Sequence, residues 1–205
     1  MPRLYIISGC NGSGKTTASY SVLPEMLGCS EFVNSDEFAK SLAPFNPEKA
    51  SVNASRYMLL KMRHLLGRRA DFCIETTLAT RSLLKVIRDA QNAGYYVTIL
   101  YFWLTSPELA VARVKARVAA GGHNIKEETI RRRYHVGLHY LFRDFMPVCN
   151  RWILCDNSNV PFTIVAESSE DGTIVRDPEK FSKIKAVNEA YEKELKEEES
   201  KKKND

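Results

Sequence analysis

The sequence predicts an α/β fold in which helices cover both faces of a mostly parallel, five-stranded sheet. Short apolar or β-branched segments of the kind found in buried strands lie at 3–8, 32–35, 71–76, 95–104 and 151–155. Helical patterns separate these segments, and such alternation favours parallel strands joined by helical crossovers. The chain has 205 residues, 44% of them hydrophobic, and is long enough to form one sizeable core.

A glycine-rich loop follows the first strand directly. Residues 9–16 read GCNGSGKT, the full pattern of a phosphate-binding loop (P-loop), and a helix is predicted from Thr16 to about Leu27. The sequence thus predicts a P-loop NTPase. We expect Lys15 to reach the β- and γ-phosphates of the nucleotide and Thr16 to ligate Mg²⁺. The predicted nucleotide-binding residues of this loop are Gly9, Asn11, Gly12, Ser13, Gly14, Lys15, Thr16 and Thr17.

A carboxylate follows the second predicted strand, within the segment NSDEF at 34–38. Because acceptors bind beyond the carboxyl ends of strands in open α/β sheets, Asp36 is a candidate base for an acceptor hydroxyl. The alternative is that Asp36 caps the helix that follows.

Arg56, on a long helix predicted over 47–69, is a candidate contact for an acidic acceptor. The alternative is that Arg56 is a solvated arginine on the helix surface.

Two polar residues, Glu75 and Thr76, end the third predicted strand. A charge at the end of a buried strand is costly unless it faces a polar cleft. We therefore expect this pair to bind substrate, with Glu75 contacting substrate hydroxyls or holding Mg²⁺ through water. A glutamate that faces solvent at the strand end is the alternative.

Two arginine-bearing helices are predicted over about 107–145. Between residues 111 and 143, eight cationic side chains accompany two carboxylates, an excess of six positive charges. Arg113 and Arg117 lie four residues apart and so share a helix face. A glycine pair at 121–122 separates the two helices, and this arrangement is typical of a lid that closes over a phosphate-bearing ligand.

Three consecutive arginines occur on the second lid helix. Arg131 and Arg132 each have a glutamate four residues earlier, at Glu127 and Glu128, so intrahelical ion pairs are available to both. Arg133 has no such partner.

The C-terminal part departs from the alternating pattern. Two short β-like runs indicate a hairpin over about 162–176. Beyond it, eight lysines and eight carboxylates make the tail neutral, and apolar residues at helical spacing predict a helix to about Leu195 with a frayed end. We divide the chain into a P-loop kinase domain over 1–178 and a charged C-terminal helix and tail over 179–205.

Composition favours a cytoplasmic protein without a membrane span. No run of eighteen apolar residues occurs, and the N-terminus enters a strand without a charged leader. Five cysteines form no CxxC pair, as expected of reduced thiols. Cys10, inside the P-loop, is either an ordinary loop residue or a thiol that ionises readily in a positive field. The net charge is +5, and the positive stretch could serve either nucleic acid or the phosphates of a small anionic ligand. Nucleic acid is the less favoured partner, because no basic surface interleaved with aromatic residues occurs beyond the lid.

The P-loop, the 34–38 segment, the sequence IETT at 74–77 and the arginine-rich lid together resemble the zeta toxin family of P-loop kinases, in the same order over roughly residues 3–160. The sequence DNS at 156–158, after the last core strand, fits the same pattern. Members are ATP-dependent kinases, and the toxins phosphorylate UDP-N-acetylglucosamine. The resemblance implies ATP and Mg²⁺ as cofactors and a small-molecule phosphate acceptor. It also implies that Asp36 is the catalytic base, that Glu75 contacts the acceptor and that Arg117 contacts phosphate.

The lid also resembles part of adenylate kinase, and it differs from the lid of the zeta toxins at one position. Residues 127–133 are similar to the segment that closes the adenylate kinase lid, which implies a phosphate contact for Arg133 and makes it a catalytic residue together with Lys15, Asp36 and Arg117. Arg113 is assigned to the nucleotide. Where the toxins commonly carry a second lid arginine, this chain has Gly-Gly-His, so either His123 or Arg133 must substitute.

The resemblance leaves the hairpin and tail unexplained, and an antitoxin-like partner is compatible with it without being indicated by the sequence. Two other classes of function stay open. One is a nucleotide or polynucleotide kinase with the same core. The other is a nucleotide-binding regulatory module of the GTPase type, against which the sequence lacks DxxG and NKxD motifs.

Overall fold

Seven strands form one continuous sheet at the centre of the molecule. The computed structural model describes residues 1–26, 28–44 and 47–202. The strands are β1 (Arg3–Ser8), β2 (Phe32–Val33), β3 (Phe72–Thr76), β4 (Tyr96–Trp103), β5 (Arg151–Asp156), β6 (Thr163–Ser169) and β7 (Gly172–Val175).

Seven α-helices connect or flank the strands within the described residues. They are α1 (Lys15–Met26), α2 (Ser35–Leu42), α3 (Pro47–Gly67), α4 (Leu83–Asn92), α5 (Pro107–Ala119), α6 (Glu127–Tyr140) and α7 (Pro178–Lys202), and a π-helical turn at Leu141–Phe145 follows α6. Leu27, the predicted end of α1, lies outside the described residues.

The strand order is β2-β3-β1-β4-β5-β6-β7, with β1 to β5 parallel. The chain first builds the β3 side of β1 and then crosses to the β4 side, so the order reverses at β1. Ligands of open α/β sheets bind at the carboxyl ends of strands near such a reversal. The loop that follows β1 is the P-loop, so the topology places that loop at the expected position.

Successive apolar side chains of the central strands point to opposite faces of the sheet and build a core on each face. In β1, Leu4 and Ile6 join the larger apolar cluster, whereas Tyr5 and Ile7 join a smaller one on the opposite face. Seven of the eight residues of β4 are buried. The mostly parallel sheet covered by helices, predicted from the sequence, is confirmed.

Three features of the fold differ from the expectations: the number of strands in the sheet and the ends of β2 and α7. The sheet has seven strands rather than five, because β6 pairs antiparallel with β5 and β7 pairs with β6. This pairing satisfies backbone groups that would otherwise be exposed along the edge of β5. Strand β2 ends at Val33 because Asn34 already caps α2. Helix α7 continues to Lys202, beyond the predicted end near Leu195.

Candidate functional site

The P-loop has a backbone that favours glycine at three of its positions. Gly9, Gly12 and Gly14 have φ angles of 139°, 82° and 81°, which side chains rarely allow. A Cβ at Gly12 would lie 2.5 Å from the carbonyl oxygen of Ala110, and one at Gly14 would run into the side-chain amide of Asn157. The loop is therefore shaped by contacts with distant segments as well as by its own sequence.

Lys15 is buried beneath this loop. Its Nζ donates to the carbonyl oxygen of Cys10 at 2.8 Å. Burial lowers the pKa of Lys15, while the charges of Glu75 and Asp36 act in the opposite direction. Burial also raises the pKa of the Cys10 thiol to about 11 against the effect of Lys15, so the hypothesis that this thiol ionises readily is wrong.

Ser13 and Asn11 are buried polar residues of the loop. Each has a side-chain oxygen that can contact a ligand or a lid residue. Ser13 is fully buried, and its Oγ has no hydrogen-bond partner among the described residues. Asn11 is 5% exposed, and its Oδ1 accepts from Arg133. A buried hydroxyl without a partner is costly, and the phosphate oxygens of a nucleotide would be chemically suitable acceptors for it.

Glu75 faces the P-loop rather than solvent. Its two oxygens accept from Thr16 Oγ1 at 3.1 Å and from Asn34 Nδ2 at 3.0 Å. Burial raises the pKa of this carboxyl, although the Lys15 charge and the Thr16 hydrogen bond oppose the shift. The structure therefore brings Glu75 and Thr16 together, and Asn34 joins them.

This pair of oxygen-bearing residues suits magnesium. Mg²⁺ is commonly held by one or two protein oxygens completed by substrate phosphates and water, and the Thr16 hydroxyl beside the Glu75 carboxylate matches that donor set. The described residues contain no cluster of three or more His, Cys, Asp or Glu arranged to hold a metal ion by themselves.

Asp36 lies in the first turn of α2 with an exposed side chain. The cap of this helix is Asn34, whose Oδ1 accepts from Asp36 N at 2.8 Å and from Glu37 N at 3.4 Å. The Asp36 side chain is thus not required as the cap. Its charge acts on Lys15 and on Arg133, raising the pKa of each against the larger effect of burial.

Thr76, predicted to bind substrate, shapes the turn after β3. Its Oγ1 accepts from the backbone N–H of Leu78 at 3.1 Å, and Leu78 has a positive φ of 59°. Arg56 is exposed on α3, and no contact within the described ranges joins it to the P-loop or to Asp36. The role of Arg56 toward an acidic acceptor therefore stays a prediction.

The lid arginines have different positions. Arg133 is half-buried, and its Nη1 donates to Asn11 Oδ1 of the P-loop at 2.9 Å. Arg113 donates from both Nη atoms to the carbonyl oxygens of Asn157 and Ser158, each at 2.8 Å. Among the predicted ligand-binding arginines of the lid, Arg113, Arg117 and Arg133, it is Arg133 whose side chain contacts the P-loop in the described part of the chain.

Arg117 and Arg131 form contacts inside the lid. Arg117 is exposed, and its Nη2 donates to the carbonyl oxygen of His123 at 2.9 Å; its charge nevertheless lowers the pKa of Lys15, although less than burial does. Arg131 pairs with Glu127 at 2.9 Å and with Glu108 at 2.5 Å. Ion pairing explains Arg131, as the i,i+4 spacing predicts.

Sequence reasoning assigned no role to Asn34 or Asn157, although both contact predicted site residues. Asn157 donates from Nδ2 to the carbonyl oxygen of Ser13 at 2.7 Å. Both asparagines directly follow a parallel strand, β2 and β5 respectively. That position is the signal that could have identified them, because these strand ends converge on the P-loop edge of the sheet.

Comparisons with known proteins agree with this geometry. A family model described as Zeta toxin matches residues 1–145. A relative described as an uncharacterised protein of Haemophilus influenzae (strain Rd) is 32% identical over 127 residues, covering 62% of this chain and 88% of the relative. No helix in the described part of the chain combines the length and apolar character that crossing a membrane requires.

Solved structures with 17% identity share the fold. The PezAT chromosomal toxin–antitoxin system of Streptococcus pneumoniae has a TM-score of 0.65, covering 96% of this chain and 87% of that one. The AvrRxo1-ORF1:AvrRxo1-ORF2 complex with sulphate ions has a TM-score of 0.72 and covers 90% of this chain, which spans only 63% of that chain's length. With the family model matched over residues 1–145, these findings show that the chain belongs to the zeta toxin family and has the fold of a P-loop phosphotransferase.

Proposed function

We propose that this chain transfers the γ-phosphoryl group of ATP to a hydroxyl of a small molecule, and that a nucleotide sugar such as UDP-N-acetylglucosamine is the first acceptor to test. The observation that carries the proposal is the contact of Arg133 with the P-loop, together with the position of Asp36 in the first turn of α2, two residues after the Asn34 that binds Glu75. Arg133 touches Asn11, and the Asp36 charge acts on both Lys15 and Arg133.

The proposed reaction is an in-line displacement. The acceptor hydroxyl gives its proton to the Asp36 carboxylate as its oxygen forms a bond to the γ-phosphorus, and the bond to the β–γ bridging oxygen breaks to leave ADP. Lys15 and Arg133 offset the negative charge that spreads over the phosphoryl oxygens. The exposed position of Asp36 on the first turn of α2 leaves it accessible to an acceptor.

Magnesium is part of the proposal. When bound, Mg²⁺ neutralises charge on the β- and γ-phosphates. In this chain Thr16 would hold the ion, with Glu75 beside it. Asn34 keeps the Glu75 carboxylate in place through its Nδ2, so Asn34 would orient the ion site without touching the ion.

We also propose a cellular location and a type of protein partner for this chain. Five free cysteines and the supply of ATP favour the cytoplasm. The AvrRxo1-ORF1 neighbour was solved with AvrRxo1-ORF2, and another structure of that complex was solved with ATP. PezAT is a toxin–antitoxin system. These neighbours support a search for an antitoxin-like protein that binds this chain.

The test is ³¹P NMR of the protein with Mg·ATP and UDP-N-acetylglucosamine, beside a parallel sample with a 5′-hydroxyl oligonucleotide. Lys15→Met is the matched control, because methionine keeps the aliphatic stem and removes the ammonium group. A new sugar-phosphate resonance, absent from the control, is the expected result. Phosphorylation of the oligonucleotide alone would replace the acceptor class with polynucleotides, and hydrolysis to ADP and phosphate with either acceptor would contradict the nucleotide-sugar proposal.

A further inference from the structure

The loop formed by residues 156–158 is a structural partner of the P-loop, and it lies beyond the part of the chain that the family model matches. Asn157 donates from Nδ2 to the carbonyl oxygen of Ser13 at 2.7 Å, and its side chain occupies the space that a Cβ at Gly14 would need. Any displacement of Asn157 therefore reaches the P-loop directly.

The backbone of the same loop is fixed from the other side by the lid and by the end of β4. The Arg113 guanidinium donates to the carbonyl oxygens of Asn157 and Ser158, each at 2.8 Å. Thr105 N donates to Ser158 Oγ at 2.9 Å. Asn157 N donates to the carbonyl oxygen of Trp103 at 2.9 Å. The 156–158 loop thus links the P-loop, β4 and the first lid helix.

A buried carboxylate organises this loop. Asp156 has a side chain that is 3% exposed, and its Oδ1 accepts from Ser158 N at 2.9 Å. Its Oδ2 lies 3.1 Å from Lys180 Nζ. Burial raises the pKa of Asp156, but the Ser158 hydrogen bonds and the Lys180 charge outweigh it, so the pKa lies below the ordinary value. Removing one partner of a buried ion pair leaves a charge without compensation.

Lys180 is itself held in position by the C-terminal hairpin and helix. Asp177 N donates to the carbonyl oxygen of Val165 on β6 at 3.1 Å, and Asp177 Oδ1 accepts from Lys180 N at 3.0 Å as α7 begins. Further along α7, the Tyr191 ring stacks on His135 of α6 with centroids 5.4 Å apart. The start of α7 is therefore attached to the sheet, and its later turns are attached to the lid.

We propose that Lys180 is a positioning residue for the nucleotide, acting through Asp156 to hold the 156–158 loop against the P-loop. The inference rests on the proposed function, because it names the nucleotide as the ligand that this loop serves. It assigns a role to the hairpin and to α7, which the zeta toxin resemblance leaves unexplained. It also separates Lys180 from the chemical step, for which Lys15, Asp36 and Arg133 are the candidates.

The experiment measures binding of the fluorescent nucleotide MANT-ATP to the full chain and hydrogen exchange of the peptide that contains residues 156–158. Lys180→Met is expected to weaken MANT-ATP binding by about tenfold, since small displacements of a positioning group have large effects on a bound ligand. Faster exchange at 156–158 is expected in the same variant. Lys180→Arg, which keeps the charge, is expected to recover part of the affinity.

Lys183→Met is the matched control, an exposed lysine on the same helix, and about unchanged affinity is expected for it. In turnover assays, Lys180→Met is expected to raise KM for ATP with little change in kcat, whereas a loss of folded protein would lower the apparent kcat instead. Asp156→Asn provides a second test of the pair if Lys180→Met does not fold.

A folded Lys180→Met protein with parental MANT-ATP affinity and parental exchange at 156–158 would overturn the inference. So would an equal loss of affinity in Lys183→Met. A parent chain that binds no MANT-ATP would instead refute the proposed function, and in that case exchange at 156–158 still reports whether Lys180 holds the loop. The two failures are therefore distinguishable.

Discussion

Replacing Arg133 by alanine tests the proposed active site most directly. The side chain is half-buried and touches the P-loop through Asn11, with the Asp36 charge nearby. A cation about 4 Å from a developing charge contributes about 4 kcal/mol at the effective dielectric constant of a partly exposed site. Since each 1.4 kcal/mol corresponds to about tenfold in rate, kcat is expected to fall by about 10³.

Folding should change much less than the rate. The structure gives Arg133 one hydrogen bond to a neutral amide, Asn11 Oδ1 at 2.9 Å, and such a bond contributes about 1 kcal/mol to stability. The assays are ADP production under saturating ATP and acceptor, and urea unfolding of the same preparations. A large loss of rate with a small loss of stability is the signature of a group that acts on the phosphoryl group.

Two matched variants separate charge from position. Arg132→Ala changes the exposed neighbour of Arg133 on α6, and its kcat should stay within about twofold of the parent. Asn11→Ala removes the P-loop contact but keeps the Arg133 charge, so an intermediate loss is expected. If folded Arg133→Ala retained more than about a tenth of the parental kcat, Arg133 would not stabilise the transferring group, and the reasoning from its P-loop contact would fail.

Two further substitutions test Asp36 and Glu75. Asp36→Asn should lower kcat by about 10²–10⁴ with little change in KM for ATP, whereas the same assay on Glu37→Gln, one residue on, should show near-parental kcat. For Glu75, burial raises the pKa in the folded state, so the folded chain binds this proton more tightly than the unfolded chain and parental stability decreases as pH rises above the ordinary value. Urea unfolding should therefore show Glu75→Gln gaining stability relative to the parent as the pH rises above the ordinary glutamate value of 4.5; a constant difference would contradict the assignment.

Short stretches of sequence were sufficient to predict the P-loop and the strands of the central sheet. A P-loop is one strand, one turn and one helix in succession, so its pattern is contained in a single stretch of sequence. The helix-to-helix glycine turn of the lid is similarly local, as is the Glu127–Arg131 pair. Each of these features depends on spacing within a few residues, and the structure places them as expected.

Contacts between distant segments were not predictable in the same way. Asn157 lies 144 residues from Ser13, to which it donates, and Arg133 lies 122 residues from Asn11. One sequence does not show which of several arginines will meet the P-loop, because this depends on the angle between α6 and the sheet. Arg56 shows the same limit, since its charge suggested a ligand and its exposed position on α3 leaves that role a prediction.

The geometry of the lid also favours one solution to its missing second arginine. His123 contributes its carbonyl oxygen to Arg117, and the Gly-Gly turn fits closely against the same arginine, since a Cβ at Gly122 would lie 2.6 Å from Arg117 Cγ. Arg117 is thereby tied to the hinge, while Arg133, on the other lid helix, contacts the P-loop. We therefore infer that Arg133 substitutes for the missing arginine as the lid contact to the P-loop. Arg117 instead holds the turn between the two lid helices, and its charge lowers the pKa of Lys15.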